Sequence, residues 1–547
     1  MMKRMIQTGV ALALGTAASS ALAFNPSVTA PDYQTVFSGA TAASNSARVW
    51  IIDRVCDTTQ PVDVFRRWTG SSFGNDWAVA CKTKTHQDKD GDGIVDAGET
   101  VASKNVLFRK RDTGGSGWGV TPVTHPMNVA PGVAATNGVD PVNPGGAATG
   151  FKVDIMTVTA GAGFNCDTTA NPPAALVTGA GTNYSEYKCG TANEQKVPDA
   201  GFSDIEPNKF FGINTPSGLP EYAASTGVST NTFGALVFGT PVSLDLRNAL
   251  QAVQGLTVGS ETQANMPSLS STEIRSLFTG GIPNWNNLMV TNPADVNGPK
   301  ISLAAHPDVV ALGTVPADKK VQICRRVPGS GTQAQFNTIF LNWPCDTSVK
   351  TPSSAPGSLA LGPVVAENSG SSDVSRCLDD FNDGSNASGK NAALTKRWAI
   401  GINSTENNVD NSFSYRFIKI DGGAPTIQAV HAGDYQDYAE QSFQYRTSAD
   451  RLLNASLASD KTDTLTILAH MAAQGNTPND TASVNTNYVH TWGQGGWLVT
   501  PKSTGGFTPS NPFSISNPVN SSTRAPFGFA PNTCHLPTTI KTVQGGL

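Results

Sequence analysis

Residues 326–333 read RVPGSGTQ, and an upstream stretch at 273–287 reads EIRSLFTGGIPNWNN. In the first stretch Arg326 precedes Pro328-Gly329-Ser330-Gly331-Thr332, and Phe336, Ile339 and Phe340 then recur on one helical face. This pattern predicts a helix over 332–342, with Thr332 and Gln335 as a possible capping box. Glycine lets the backbone come close to a ligand, and Ser330 and Thr332 offer hydroxyls beside the free N–H groups of a helix start. Such an arrangement holds an anion without net positive charge. Arg326 adds a planar fork suited to two oxyanion oxygens. Taken alone, a GSGT of this kind is as often a plain turn.

Three other stretches are of the same kind: Ser38-Gly39-Ala40-Thr41, Gly114-Gly115-Ser116-Gly117 and Gly201-Phe202-Ser203-Asp204. Each is a turn by default, but their order along the chain changes the reading. The series resembles the phosphate-binding protein of bacterial phosphate ABC transporters, a type II periplasmic binding protein. The resemblance is carried by F-T-G-x-I-x-N-W-N at 278–286, by R-x-x-GSGT at 326–332, by AIG at 399–401 and by IKIDGGAPT at 418–426. It covers the chain in pieces, so the chain reads as an enlarged member. The resemblance implies an α/β, two-lobed type II periplasmic binding protein fold, with a ligand cleft between the lobes and loop-rich insertions. Lobe one would take 24–240 and 406–547, and lobe two 241–405. The family's ligand groups fall on Ala40, Thr41, Ser116, Asp204, Arg326, Ser330, Gly331 and Thr332. The implied function is capture of inorganic phosphate for an ABC permease. This chain departs from the pattern at Ala42 and Ala43 after the first loop, at Pro328, and at Trp118 after Gly117.

The chemistry of these residues agrees with that implication. Hydroxyls and backbone N–H groups satisfy oxyanion oxygens in a dry cleft. Asp204 is the informative member, since a carboxylate beside an anion is repulsive unless the ligand donates a proton. Monohydrogen phosphate has such a proton and sulfate has none. Two desolvated acceptors facing each other are costly, so Asp204 would select phosphate or arsenate over sulfate. A turn or helix-capping role for Asp204 is the alternative.

Composition sets the frame. Of 547 residues 14% are charged, well below the roughly 25% of an average soluble chain. With 54 Gly and 35 Pro this describes a turn-rich globular protein and excludes a long-helix bundle. Residues 1–23 read as a secretory signal peptide: Lys3 and Arg4, an apolar stretch at 8–18, and Ala21-Leu22-Ala23 before Phe24. Cleavage after Ala23 leaves 35 basic against 42 acidic residues, a net charge of −7, so a nucleic-acid partner is not expected. No Cys stands at the cleavage site and no later stretch is apolar enough to span a membrane. The expected location is the periplasm or the exterior. Eight Cys in an exported chain predict disulfides. Short loops favour 56–81, 166–189 and 324–345, leaving 377–534.

Residues 88–99, DKDGDGIVDAGE, form a twelve-residue calcium-loop pattern. Asp88, Asp90, Asp92 and Asp96 stand at positions one, three, five and nine, Ile94 would offer its carbonyl, and Glu99 can bind bidentately. Gly93 permits the turn. A structural Ca2+ is therefore the expected cofactor, and an acidic solvated turn is the alternative.

Helix is expected over 42–68, interrupted at Pro61, and from Ser270, where Ser270 and Glu273 make a capping box. Strands are expected at 150–159, 232–244, 321–325, 397–403 and, half-exposed, 415–420. Residues 121–185 and the tail 500–547 read as loop-rich. No enzyme is expected. The seven His are scattered without HxH or HExxH, and Gly70-Ser71-Ser72-Phe73-Gly74, though it matches a nucleophile-elbow pattern, follows expected helix instead of strand. Trp492 and Trp497 read as a packed turn, with a carbohydrate platform as the minor alternative. A secreted structural or adhesion protein, rigidified by calcium and disulfides, is the second reading of the whole chain.

Overall fold

A computed structural model describes residues 29–68, 73–88, 94–124, 152–158, 184–353, 362–475 and 484–498, apart from single positions at 113, 226 and 293, with residues 26, 70, 166–167, 522–523 and 538–539. The expected signal peptide, Asp90, Asp92, Ser71, Ser72, Cys534 and most of the 121–185 and 500–547 stretches lie outside these residues.

Apolar and β-branched runs assemble two principal sheets. The larger has ten strands. Across most of it run, in spatial order, Asn403–Ser404, Val228–Gly239, Tyr438–Arg446, Ala200–Ser203, Tyr33–Gly39, Asn105–Arg111, Phe73–Lys82, Val62–Trp68 and Tyr184–Cys189. The smaller has five: Val364–Asn368, Gln322–Arg326, Ala399–Gly401, Pro241–Ser243 and Tyr415–Phe417. Each sheet carries helices and its own buried core, which gives a two-lobed α/β molecule. Phe37, Trp77, Phe108, Phe202 and Phe443 are fully buried in the larger lobe, and Trp285, Phe278, Phe336, Trp398 and Ile400 in the smaller. Among the described residues no helix is long and apolar enough to cross a membrane.

The chain passes between the sheets at Thr240, which separates Val228–Gly239 from Pro241–Ser243. It passes again between Ala399–Gly401 and Asn403–Ser404. Residues 415–417, which the sequence reading put in the return segment of lobe one, pair antiparallel with Pro241–Ser243 in the smaller sheet. Return to the larger sheet comes at Tyr438, where eight register pairs join Tyr438–Arg446 to Val228–Gly239.

Several local expectations change. The helical stretch from Ser44 ends at Val55, and beyond Pro61 the residues Val62–Trp68 form a strand between two neighbours. Proline stops the helix, and Val62, Val64 and Phe65 then satisfy a buried sheet better than a helical face. The Gly70–Gly74 pattern therefore follows a strand. Helix Ser271–Phe278 starts as expected, with the reciprocal Ser270–Glu273 box present. Helix Gly331–Leu341 is capped two residues earlier than expected: Ser330 accepts from the Gln333 N–H, so Thr332 lies inside the helix. Its hydroxyl is freed from capping.

Disulfides Cys56–Cys81 and Cys166–Cys189 form as expected. The expected 324–345 pair does not: Cys324 pairs with Cys377, linking strand Gln322–Arg326 to helix Ser371–Asp383. Loop length favoured the nearer cysteine, but the strand packs its face against that helix. Because Cys377 is taken by Cys324, the expected 377–534 bridge is excluded, and Cys345 is disulfide-bonded elsewhere.

Candidate functional site

Glycines bring three chain segments of the larger lobe to one point. Gly39 ends the first strand with φ +99°, and a Cβ there would strike the Phe202 carbonyl and the Gly119 backbone. Side chains at 119 and 201 would meet the same backbones. Only glycine permits this crossing. It sets Ala40, Ser116 and Asp204 side by side: the Ala40 N–H donates to the Phe202 carbonyl at 2.9 Å, and the Asp204 N–H donates to Ser116 Oγ at 3.0 Å.

The smaller lobe supplies the opposite wall. Strand Gln322–Arg326 delivers Arg326, and the turn after it leads into Ser330, Gly331 and Thr332 at the start of helix Gly331–Leu341. Gly331 abuts the first wall, since a Cβ added there would lie 2.7 Å from Asp204 Cβ and collide with Ser116 Oγ. Backbone bonds join the walls: Gly117 N–H donates to the Gly329 carbonyl at 2.8 Å, and Gly329 N–H to the Asn214 carbonyl at 3.0 Å. Ser116, Asp204, Ser330 and Gly331 thus converge from distant parts of the sequence. Ala40 and Thr41 stand behind them, Thr41 half-buried with its hydroxyl donating weakly to the Asp112 carbonyl at 3.5 Å.

The site is buried and polar. Asp204 and Arg326 are each 2% exposed. Arg326 donates to Ser371 Oγ at 3.1 Å and to the Ser369 carbonyl at 2.7 Å, while its Nε has no partner. Thr332 Oγ1 and Ser38 Oγ are also buried without partners. Unpartnered donors in a desolvated wall are costly, and an anion is what such donors satisfy. Burial pushes the Asp204 carboxyl upward, opposed first by the Arg326 charge and then by Ser116, Gln441 and Lys110. Burial also brings Arg326 down to about 10, against the pull of Asp204, Asp373 and Glu406, and leaves it charged at neutral pH.

Three residues of this region were not foreseen. Lys110 is fully buried beneath the first loop, donating to the Ala40 carbonyl at 2.8 Å, the Gly39 carbonyl at 3.1 Å and Ser44 Oγ at 2.8 Å, and pairing with Asp112. Burial draws its pKa down to about 7, with Asp76 and Asp204 acting upward. Four oxygen acceptors around one nitrogen suit an ammonium, which has only donors. Gln441 donates to Asp204 Oδ1 at 3.3 Å. Glu406 lies in the turn after Asn403–Ser404. The legible signal for Lys110 was the charged Arg109-Lys110-Arg111-Asp112 run ending an otherwise apolar strand.

The calcium-loop residues are only partly described. His86, Asp88 and Glu99 place ligand atoms within 4.8 Å of one another. Glu99 Oε2 accepts from the Asp96 N–H at 3.1 Å and lies 3.4 Å from His86 Nε2. Ile94 and Asp96 are exposed. His86 is the donor that the sequence reading missed. A cavity of about 680 Å³ opens beside it, lined by Arg54, Lys84, Asp88 and His470 among others. Trp492 and Trp497 are buried, Trp492 stacked on His490 with ring centroids 4.2 Å apart, as the packed-turn reading expects.

No family model and no curated protein matches this chain. Solved structures do show partial likeness. A human phosphate binding apolipoprotein is 16% identical over 54% of this chain and 76% of its own, with a TM-score of 0.31. A phosphate-binding protein from Stenotrophomonas maltophilia is 14% identical over 57% of this chain and 90% of its own, TM-score 0.27. An ABC-type phosphate transport receptor from Vibrio cholerae is 15% identical over 50% of this chain and 74% of its own, TM-score 0.25. These likenesses extend over pieces of the chain, so the functional reading rests on its own side chains.

Proposed function

We propose that this chain is an exported binding protein that captures inorganic phosphate, or a similar protonated oxyanion, between its lobes for uptake through an ABC permease. The observation that carries the reading is the set of buried, unpartnered donors, Arg326 Nε and Thr332 Oγ1, on a wall that closes against Ser116 and Asp204. The ligand groups are Ala40, Thr41, Ser116, Asp204, Arg326, Ser330, Gly331 and Thr332. Asp204 takes the ligand's proton-bearing oxygen as its partner, which disfavours sulfate. In this reading the protein does no chemistry on its ligand. Residues of the 88–99 loop, joined by His86, hold a structural Ca2+ that stiffens the larger lobe.

The test is a thermal-shift panel with phosphate, arsenate, sulfate and Ca2+, together with labelled-phosphate binding to the mature chain. A specific ligand raises the melting point with concentration. Phosphate and arsenate are expected to do so and sulfate is not, and Asp204→Asn is expected to admit sulfate. Replacing one acceptor–acceptor contact is worth about 1–3 kcal/mol, roughly 5- to 150-fold in relative affinity. Absence of oxyanion binding at micromolar levels removes the transport reading. A structural or adhesion role is then favoured by the direct Gly117–Gly329 and Gly329–Asn214 bonds between the lobes.

A further inference from the structure

The 403–406 turn is fixed against the arginine side of the cleft. Arg326 donates to Ser371 Oγ at 3.1 Å, and Asn403 Nδ2 donates to the Ser371 carbonyl at 3.2 Å and to Ser375 Oγ at 3.3 Å. Ser404 pairs with Phe238, and Thr405 gives both its N–H and its hydroxyl to the Val237 carbonyl. The next residue is Glu406. Its Oε2 is buried and has no hydrogen-bond partner. A carboxylate oxygen in that state is costly unless it carries a proton or meets a donor.

The charged and titratable groups around Glu406 come from both lobes. Asp204 opposes its ionisation and Arg326 favours it, as do Ser404 and its own backbone N–H. Tyr488, whose hydroxyl accepts from Asn45 at the start of the helix behind Thr41, also feels the Glu406 charge. Asp373 acts on Arg326 and Lys110 acts on Asp204. Two carboxyls, Asp204 and Glu406, therefore share one desolvated cleft with one arginine. An anion entering that cleft makes a second ionised carboxyl less tolerable still.

We propose that Glu406 is a second specificity-determining carboxyl of the oxyanion site, that it is protonated in the ligand-bound state, and that it donates its O–H to a ligand oxygen while Asp204 accepts from the ligand's own O–H. The inference rests on the oxyanion reading above. Its consequence is that one proton enters with the ligand whenever Glu406 starts ionised. Burial and Asp204 hold the Glu406 pKa up at about 8, so the linkage is exposed above that pH. Below it Glu406 already carries the proton.

The experiment is phosphate titration calorimetry on the mature chain, in buffers of different ionisation enthalpy, between about pH 8 and pH 9, where free phosphate stays the monohydrogen dianion and Arg326, held down to about 10, keeps its charge. One linked proton makes affinity fall up to about tenfold per pH unit. Wild type is expected to show that fall and uptake of close to one proton at the alkaline end. Glu406→Gln keeps an N–H donor in the same place, and is expected to bind phosphate with a flat profile and no proton uptake. Wild type and Glu406→Gln sharing one profile would overturn the proposal while leaving oxyanion binding intact. Failure of wild type to bind phosphate, arsenate or sulfate at any of these pH values would overturn both readings. Circular dichroism and melting of Glu406→Gln check that the variant is folded.

Discussion

Gly331 offers a direct mechanical test of the cleft. It is the first residue of helix Gly331–Leu341, and its φ lies outside the left-handed range, so alanine fits the local backbone. What alanine does not fit is the opposite wall. The added methyl would sit 2.7 Å from Asp204 Cβ and 2.9 Å from Ser116 Cβ, and would overlap Ser116 Oγ. Carbon atoms in contact rest about 3.5–4.0 Å apart. The lobes must therefore separate by about 1 Å at this point, or Asp204 and Ser116 must leave their places. Overpacking of this kind costs about 1–3 kcal/mol, roughly 5- to 150-fold in affinity. Because the clash crosses the cleft, Gly331→Ala is expected to weaken phosphate binding by that factor while far-ultraviolet circular dichroism stays unchanged. Calorimetry gives the affinity, and small-angle scattering with ligand present reports incomplete closure. Gly281→Ala is the control, since its nearest neighbours would all belong to Ser276, at 3.4 Å or more, and none of them to a cleft residue. Equal affinity in Gly331→Ala and wild type would refute the claim that these walls meet around the ligand.

Three further outcomes follow from buried groups. Lys110→Met removes the ammonium that holds the Gly39 and Ala40 carbonyls and leaves Asp112 unpaired in the interior; breaking such a pair costs about 3–5 kcal/mol, so a large drop in denaturation midpoint is expected. Lys110→Met,Asp112→Leu, which removes both charges, should recover most of that stability and show separately whether phosphate affinity needs the cation. Burial pushes Glu440 up to about 8 from an ordinary 4.5, so the folded state keeps a proton that the unfolded state loses between those pH values. Stability is thus fully present below about pH 4.5 and declines as pH rises through 8, by at most about 1.4 kcal/mol per pH unit; urea midpoints of Glu440→Gln should be flatter over that window. Cys324→Ser,Cys377→Ser should lower stability by about 2–4 kcal/mol, and peptide mapping under non-reducing conditions should recover the Cys324–Cys377 pair.

What could be read in advance was local. The Ser270–Glu273 box is decided by neighbouring residues and formed as expected, whereas the single strand expected at 232–244 is split at Thr240 into Val228–Gly239 and Pro241–Ser243, which lie in different sheets. Convergence of Ser116 and Asp204 with Ser330 and Gly331 was legible only through the order of four short motifs, because nothing within any one motif sets the distance to the next. The failures share a cause. Residues 62–68 have apolar spacing compatible with a helix, but the larger sheet offers them partners on both sides and wins. Cys324 faces Cys377 because a strand packs on a helix, which loop-length reasoning does not see. Lys110 and Glu406 were missed for a related reason. A lone Lys or Glu is exposed by default, and only the folded backbone shows that these two turn inward.

That inward turn bears on how an acidic chain can hold an anion. The net charge, −5 over all 547 residues and −7 without the expected signal peptide, repels a dianion at long range, so attraction has to come from groups whose fields are not screened by solvent. Arg326 and Lys110 are both buried, one on each side of the cleft, and each is balanced by carboxyls that are buried or close by: Asp204 and Asp373 against Arg326, and Asp112 and Asp76 against Lys110. A site so balanced gains little from ionic attraction as such. Its selectivity must come from where protons sit, because each ligand oxygen meets either a donor or an acceptor that the fold has already fixed. In the proposed reading Asp204 accepts, Ser116 and Thr332 donate, and Glu406, carrying a proton, donates as well. Phosphate and sulfate have the same shape and the same charge of two, so the ligand's own O–H is the feature that such a cleft can read.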